Sequence, residues 1–148
     1  KSLDYRQELQ GSTGGIGYRR RPTVRPALTA GGVLAYQMWD KSSHSVVRNG
    51  IKFIMKNNIS FDWEEESSNL YYHYYNAQVL INRGGGDWDE YNEIFRDKLL
   101  AAQNKDGSWS RKQKIAHGSK DTHMATCLAT FMLEVYYRFL PATGSRTR

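Results

Sequence analysis

The chain has 148 residues, a length that predicts one domain with a core large enough to fold without disulfide or metal staples. Hydrophobic residues make up 39% and charged residues 24%, which excludes a disordered chain, and the single cysteine excludes a disulfide framework or a multi-cysteine zinc site. The net charge of +6 is compatible with a nucleic-acid or anionic-membrane partner, although solvated basic loops are the commoner cause of such an excess.

Apolar spacing and end signals predict a chain of helices with almost no strand. Pro26 fits the first turn of a helix, Ser43 fits a helix cap, and Pro141 prevents the last helix from continuing. The predicted helices span residues 3–9, 26–39, 44–56, 69–82, 87–103 and 122–140. We therefore expect an all-α fold built from helical hairpins.

An internal repeat of about 46 residues organises these helices. Trp63 and Trp109 lie 46 residues apart, and Tyr18 lies 45 residues before Trp63. A turn precedes each aromatic residue, and an amide side chain precedes each turn: Gln10, Asn58 and Gln103. The repeat predicts three units, at about 1–40, 41–83 and 84–141, followed by a flexible tail at 142–148.

The third unit carries a recognisable motif. Gln103, Gly107 and Trp109 resemble the pattern Q-x3-G-x-W, called the QW motif, of squalene–hopene cyclases and related prenyltransferase repeat proteins. The other two units keep parts of the motif: Gln10, Asn58 and Trp63. The stretch at 133–141 also looks like the end of uncharacterised bacterial members of that superfamily.

The resemblance spans about residues 3–140 and implies an (α/α) toroid, or part of one. The helices that follow each aromatic residue, at 26–39, 69–82 and 122–140, would then be inner helices, and those that precede each amide would be outer helices. In that family the QW element is structural. A glutamine amide can bond the backbone groups that a helix end leaves without partners.

A stack of three hairpins leaves two end faces without a neighbour. We expect further repeats of a parent chain, or a second copy, to cover them. The chain begins at lysine rather than methionine, which we interpret as the start of a processed product or of a piece of a longer protein. Its first residues are polar, and no apolar run approaches the roughly 18 residues of a membrane span. We therefore expect a soluble segment without a signal peptide.

The resemblance also implies what a catalytic residue would look like. Class II terpene cyclases protonate their substrate with an aspartic acid in a D-x-D-D motif, and the nearest string here is Asp-Trp-Asp-Glu at 87–90. It follows three glycines and opens a predicted outer helix, where acidic side chains favour the helix start. We interpret the string as a helix-start signal and assign no catalytic residue.

A second catalytic feature of the superfamily is zinc, which prenyltransferase β-subunits hold with Asp, Cys and His. Here Asp121, His123 and Cys127 come together at the start of the last predicted helix, and His123 and Cys127 share one helix face. Three such ligands with a water would suit catalytic zinc. A lone cysteine and histidine on a helix are more often core and cap residues, so no cofactor is predicted and zinc is kept as the alternative.

The most unusual segment is the helix that begins near residue 69, in which four tyrosines surround one histidine. Its aromatic lining could hold an apolar or carbohydrate ligand. The candidate binding residues are Tyr71, Tyr72, His73, Tyr75 and Asn76. Ordinary packing, with hydroxyls reaching loop carbonyls, is the alternative interpretation.

These features lead to three functional hypotheses. The first is a non-catalytic ligand- or partner-binding module of a larger toroid protein. The second is a fragment of a diverged terpene cyclase or prenyltransferase-like enzyme. The third is nucleic-acid or anionic-surface binding through the basic loops at 19–25 and 111–120. Glutamates at 64–66 occupy the equivalent loop of the middle unit, which argues against a nucleic-acid groove, and the first hypothesis is preferred.

Overall fold

The computed structural model describes residues 5, 7–19, 24–57, 60–65, 68–110 and 120–137. Five helices form in this part of the chain: α1 Pro26–Met38, α2 Ser45–Lys56, α3 Leu70–Arg83, α4 Gly85–Ala101 and α5 Thr122–Glu134. Extended pairing there is confined to two isolated bridges, Gln10 with Ile16 and Gly17 with Val24. The all-α fold class is therefore confirmed. None of the five helices combines the length and apolar character that a bilayer crossing requires.

The start of α2 differs from the sequence prediction by one residue. His44 caps the helix in place of Ser43, because the His44 Nδ1 accepts the N–H of Val46 at 3.2 Å. The imidazole also packs against the buried ring of Tyr36, with the ring centroids 4.9 Å apart. A tertiary contact thus selects between two neighbouring residues that can both accept a capping hydrogen bond.

The end of α5 also differs, since the helix stops at Glu134 rather than near residue 140. The N–H groups of Tyr136 and Tyr137 bond to carbonyls three residues back, at 3.4 and 3.0 Å. Such bonds tighten the last turn and end the α-helical pattern. Residues 138–148, which include the predicted tail, lie outside the described part of the chain, as do residues 3, 4 and 6 of the predicted helix at 3–9. Residues 5, 7 and 8 of that helix are helical.

The helix α3 occupies the centre of the fold. It packs against α1 on one side, α5 on another and α4 on a third, while α2 packs mainly against α1. We call α1, α3 and α5 the central row. The two helices outside this row, α2 and α4, are those that precede the amide-containing turns.

Charge is divided sharply between the row and the helices outside it. Within the central row the only charged side chains are Arg83 and Glu134, each at the last position of its helix. The outside helices carry ten charged residues: Arg48, Lys52, Lys56, Asp87, Asp89, Glu90, Glu93, Arg96, Asp97 and Lys98. Since solvent-facing helices ordinarily carry charges on their outer face, the central row is unusual.

Candidate functional site

Two of the predicted amide-containing turns have the same geometry. The Gln10 Nε2 donates to the carbonyl of Gly14 at 2.8 Å, and the Gln103 Nε2 donates to the carbonyl of Gly107 at 2.9 Å. Each glycine N–H bonds at 2.9 Å to the carbonyl of the residue after the glutamine. Both glycines have positive φ, +89° and +85°, which a residue with a Cβ rarely adopts. The side chains predicted as structural therefore build one type of turn twice.

A threonine on the following helix completes each turn. The N–H of Ile16 donates to the Thr29 Oγ1 at 2.8 Å, and the N–H of Trp109 donates to the Thr126 Oγ1 at 3.0 Å. Each threonine hydroxyl in turn donates to the carbonyl four residues earlier in the chain, at 3.1 and 2.8 Å. The sequence reasoning did not identify these threonines, because their spacing from the turn differs between the two units.

The counterpart of Trp109 in the first unit is Ile16, and not the predicted Tyr18. Ile16 is buried and bonds to the helix as Trp109 does, whereas Tyr18 is 72% exposed. In both turns the residue two positions after the glycine is buried and apolar. The position accepts an isoleucine as well as a tryptophan.

The two tryptophans use their ring N–H groups to join elements. The Trp109 Nε1 donates at 2.8 Å to the carbonyl of Leu99. Leu99 is in the last turn of α4, where the backbone carbonyls have no partner within the helix. The Trp63 Nε1 donates at 2.9 Å to the carbonyl of Ser110 and so ties the middle unit to the third. Asn58, the predicted amide of the middle unit, lies outside the described residues.

The tyrosine-rich helix presents its aromatic residues in different directions. The hydroxyls of Tyr71 and Tyr75 lie 3.2 Å apart and their rings meet edge to face. Tyr74 touches Phe131 of α5, with the ring centroids 5.9 Å apart. These half-buried or exposed side chains form what we call the tyrosine face: Tyr71, Tyr74, Tyr75 and Phe131.

His73 belongs to the core rather than to this face. The Tyr91 hydroxyl donates to the backbone carbonyl of His73 at 3.0 Å, and the same oxygen lies 3.0 Å from the His73 Nδ1. A phenol has one hydrogen, so Nδ1 must be the donor in the second bond. Phe61 packs edge to face on the imidazole, with the ring centroids 4.9 Å apart. The structure therefore separates His73 from Tyr71 and Tyr75, whereas the ring of Tyr72 stays in contact with the imidazole, with the centroids 5.3 Å apart.

Tyr72 and Asn76 point in a third direction, into the protein. Asn76 exposes no surface, and the Tyr72 hydroxyl oxygen is buried. Burial raises the pKa of Tyr72, and the Asn76 amide one turn away partly opposes that rise. The five candidate binding residues thus divide into two sets: Tyr71 and Tyr75 on the tyrosine face, and Tyr72, His73 and Asn76 in the interior.

The three residues considered for zinc do not converge. The Asp121 Oδ1 accepts the N–H of Met124 at 2.9 Å and caps α5, which leaves this carboxylate committed to the helix start. The Cys127 Sγ and the His123 Nε2 are 3.8 Å apart, in weak contact with each other. No group of three or more His, Cys, Asp or Glu in the described ranges is arranged to hold a metal ion.

The acidic string at 87–90 lies in the first turns of α4, outside the central row. Asp87 pairs with Arg83 across the preceding glycine turn, with its Oδ2 3.4 Å from the Arg83 Nε. Glu90 and Asp89 are exposed. This arrangement agrees with the interpretation of the string as a helix start.

Two surface grooves lie away from the tyrosine face. One, of about 750 Å³, lies between the middle and third units and includes Trp63 and Lys98 in its lining. The other, of about 700 Å³, places the basic side chains of α2 opposite Asp87 and Glu90 of α4. The second groove therefore carries both signs of charge, which suits neither a nucleic acid nor a polyanionic surface.

Comparison with known proteins identifies no relative, since no family model, no curated protein and no solved structure matches the chain. The likeness to squalene–hopene cyclases rests on the motif residues alone. The tyrosine face and the two matched turns are the features of the described structure on which a functional proposal can stand.

Proposed function

We propose that this chain is a non-catalytic binding module, a partial (α/α) toroid of the squalene–hopene cyclase and prenyltransferase type within a larger protein. Its ligand is an uncharged apolar molecule or a carbohydrate, held on the tyrosine face. The observation that carries the proposal is the absence of charged side chains from the central row, in the described residues, before the last position of each helix.

The chemistry of the face supports an uncharged ligand. Tyr71, Tyr74 and Tyr75 offer ring surfaces for apolar or stacking contact. A charged ligand would need a counter-charge, and none lies among the side chains that form this face. Exposed aromatic residues without nearby charges are also typical of surfaces that a partner covers.

The matched turns support the toroid assignment. The side-chain amides of Gln10 and Gln103 each donate to the carbonyl of the glycine four residues later. Each of these turns leads into a helix of the central row. A repeat that recurs in geometry as well as in sequence is expected of stacked hairpins. The QW-like residues then serve the scaffold, and the tyrosine face serves recognition.

The alternative of a diverged enzyme is less well supported by the described residues. An acid catalyst on the central row would have to be Glu134, which is exposed at the end of α5, because Asp87 and its neighbours lie on α4. The catalytic hypothesis therefore depends on residues beyond those that form the tyrosine face.

The test is to titrate the isotope-labelled chain with farnesol and, separately, with cellohexaose, and to follow chemical shifts. We expect one of these probes to shift the resonances of the tyrosine face. Tyr75→Ala and Phe131→Ala should weaken that binding by about tenfold each, a value usual for aromatic contacts in a binding site. Tyr18→Ala, which removes an exposed tyrosine elsewhere, is the matched control and should bind normally.

Shifts confined to the basic loops at 19–25 and 111–120 on addition of a single-stranded oligonucleotide, with none on the tyrosine face from either probe, would overturn the proposal. That result would support the anionic-surface hypothesis.

A further inference from the structure

The exposed side of helix α2 carries charge of one sign. Its three charged side chains are all basic, so the helix has a net charge of +3. They are spaced four residues apart and therefore share one side of the helix, and each of them is exposed. We call them the positive strip: Arg48, Lys52 and Lys56. Val46 and Ile54 belong to the opposite, buried side.

Helix α4 carries the opposite charge. It has five acidic and two basic side chains, so its net charge is −3. Three of the acidic side chains follow each other at spacings of three and four residues, which places them on one side of the helix, and all three are exposed. We call them the negative strip: Glu90, Glu93 and Asp97. Tyr91, Phe95 and Leu99 form the buried side of α4.

A groove of about 700 Å³ lies between the two helices. The whole positive strip lines one side of it, and Asp87 and Glu90 of α4 line the other. Both helices pack on the central row, but they do not pack closely on each other. Within the described residues, no ion pair includes a side chain of the positive strip. The opposite charges of α2 and α4 therefore lie side by side without neutralising each other.

A positive strip beside a negative strip makes a surface that is complementary to itself. If a two-fold axis runs along the groove, rotation places the positive strip of each copy on the negative strip of the other. Such a contact is isologous, which is the usual arrangement of a protein dimer. A polyanion or a polycation would instead meet like charge on one of the two strips, which opposes its binding.

We propose that a second copy of this chain docks on the surface formed by α2 and α4, in a two-fold symmetric dimer. Each dimer contains two equivalent contacts between the positive strip of one copy and the negative strip of the other. Exposed charge pairs are individually weak and are screened by salt, so the dimer depends on both contacts and on low ionic strength.

The first test is sedimentation velocity of the unmodified chain at low and at high salt. We expect association at low salt that decreases as salt rises, because screening weakens both contacts. The uncovered ends of the central row offer a separate, apolar contact that salt does not screen, so the salt-sensitive part of the association measures the strips. Association of the same strength at low and high salt would overturn the proposal.

The second test reverses one charge in the middle of each strip. Lys52→Glu and Glu93→Lys each place like charges in both contacts of their own dimer. Each variant should raise the low-salt dissociation constant by about tenfold or more. Lys105→Glu and Glu64→Lys are matched controls, because they reverse exposed charges in loops outside α2 and α4. Both controls should associate as the unmodified chain does.

The decisive measurement mixes the two strip variants, with one of them fluorescently labelled. In the mixed dimer one contact keeps the original pair and the other keeps the same pair with its charges exchanged. The mixture should therefore associate as strongly as the unmodified chain, and so should the double variant Lys52→Glu/Glu93→Lys. This recovery would also show that both chains fold.

Two results of the variant experiments would contradict the proposal. If the single variants associate like the unmodified chain, the strips do not form the contact. If the single variants dissociate but neither the mixture nor the double variant recovers, α2 does not pair with α4 of a second copy.

Discussion

At the scale of single residues, burial controls how the tyrosines of this protein ionise. Tyr91 exposes no surface, and burial raises its pKa well above the ordinary value, with further contributions from Tyr72 and Tyr136. Burial also raises the pKa of Tyr136, whose hydroxyl donates to the Asn92 Oδ1. The folded state therefore holds these phenols in their neutral form.

This predicts a loss of stability at alkaline pH. Above about pH 10 the unfolded chain releases the Tyr91 proton while the folded chain keeps it, so the free energy of unfolding falls as pH rises from the unfolded towards the folded pKa. Tyr91 alone contributes a fall of about 1.4 kcal/mol by one pH unit above its unfolded pKa. Urea unfolding between pH 8 and 11 measures the slope.

Tyr91→Phe should flatten that slope, although it also lowers stability at neutral pH by removing the bonds to His73. Tyr137→Phe is the control, because Tyr137 is 68% exposed and should leave the slope unchanged. Equal slopes for the unmodified chain and Tyr91→Phe would show that Tyr91 does not carry the effect.

The sequence identified α3 as an unusual segment, but it did not predict that its aromatic and polar residues have separate roles. Tyr71, His73 and Asn76 differ in direction because α3 has neighbours on three sides, and the positions of those neighbours depend on packing between distant segments. Helical spacing predicts which side chains share a face. It does not predict whether that face meets solvent, α4 or another part of the interior.

At the scale of elements, local signals account for what could be predicted. All five described helices were predicted, four of them to within two residues at each end, because apolar spacing and end signals such as Pro26 and the cap at Asn69 are local in the sequence. The cap at His44 and the role of Ile16 were missed, since both depend on contacts with residues distant in the chain: Tyr36 and Thr29.

The threonines that complete the matched turns give a prediction at this scale. Thr29→Val and Thr126→Val keep the side-chain shape but remove the acceptor for the N–H of Ile16 or Trp109. Each should lower the free energy of unfolding by about 1–3 kcal/mol, the usual cost of leaving a buried donor unpaired. The measurement is the midpoint of urea unfolding at constant slope.

Thr130→Val supplies the matched control on the same helix as Thr126. Its hydroxyl donates to the carbonyl four residues earlier, as the hydroxyl of Thr126 does, but it accepts no bond from a turn and is exposed. We expect a change within about 0.5 kcal/mol. A loss as large as that of Thr126→Val would show that the helix bond, and not the turn, stabilises the fold.

At the scale of the whole molecule, the two end helices of the central row, α1 and α5, each have a side that no other described helix covers. In the described part of the chain α5 packs mainly against α3, and α1 packs against α3 and α2. Large apolar side chains are exposed at these ends: Met38, the last residue of α1, is 74% exposed, Trp39 after it is 69% exposed, and Tyr137 after α5 is 68% exposed. A stack of hairpins that exposes such residues needs a further repeat or a second copy to cover them.

We therefore predict that the isolated chain self-associates through the ends of the central row. Sedimentation velocity over a range of protein concentrations should show association that persists at 0.5 M salt, because apolar burial is not screened as charge pairs are. Trp39→Glu and Tyr137→Glu should each weaken this association. Leu100→Glu is the control, since it alters an apolar side chain that is 49% exposed on α4, outside the row. If the association disappears at high salt, the charged helices α2 and α4 carry it instead. The ends of the central row would then need another partner to cover them.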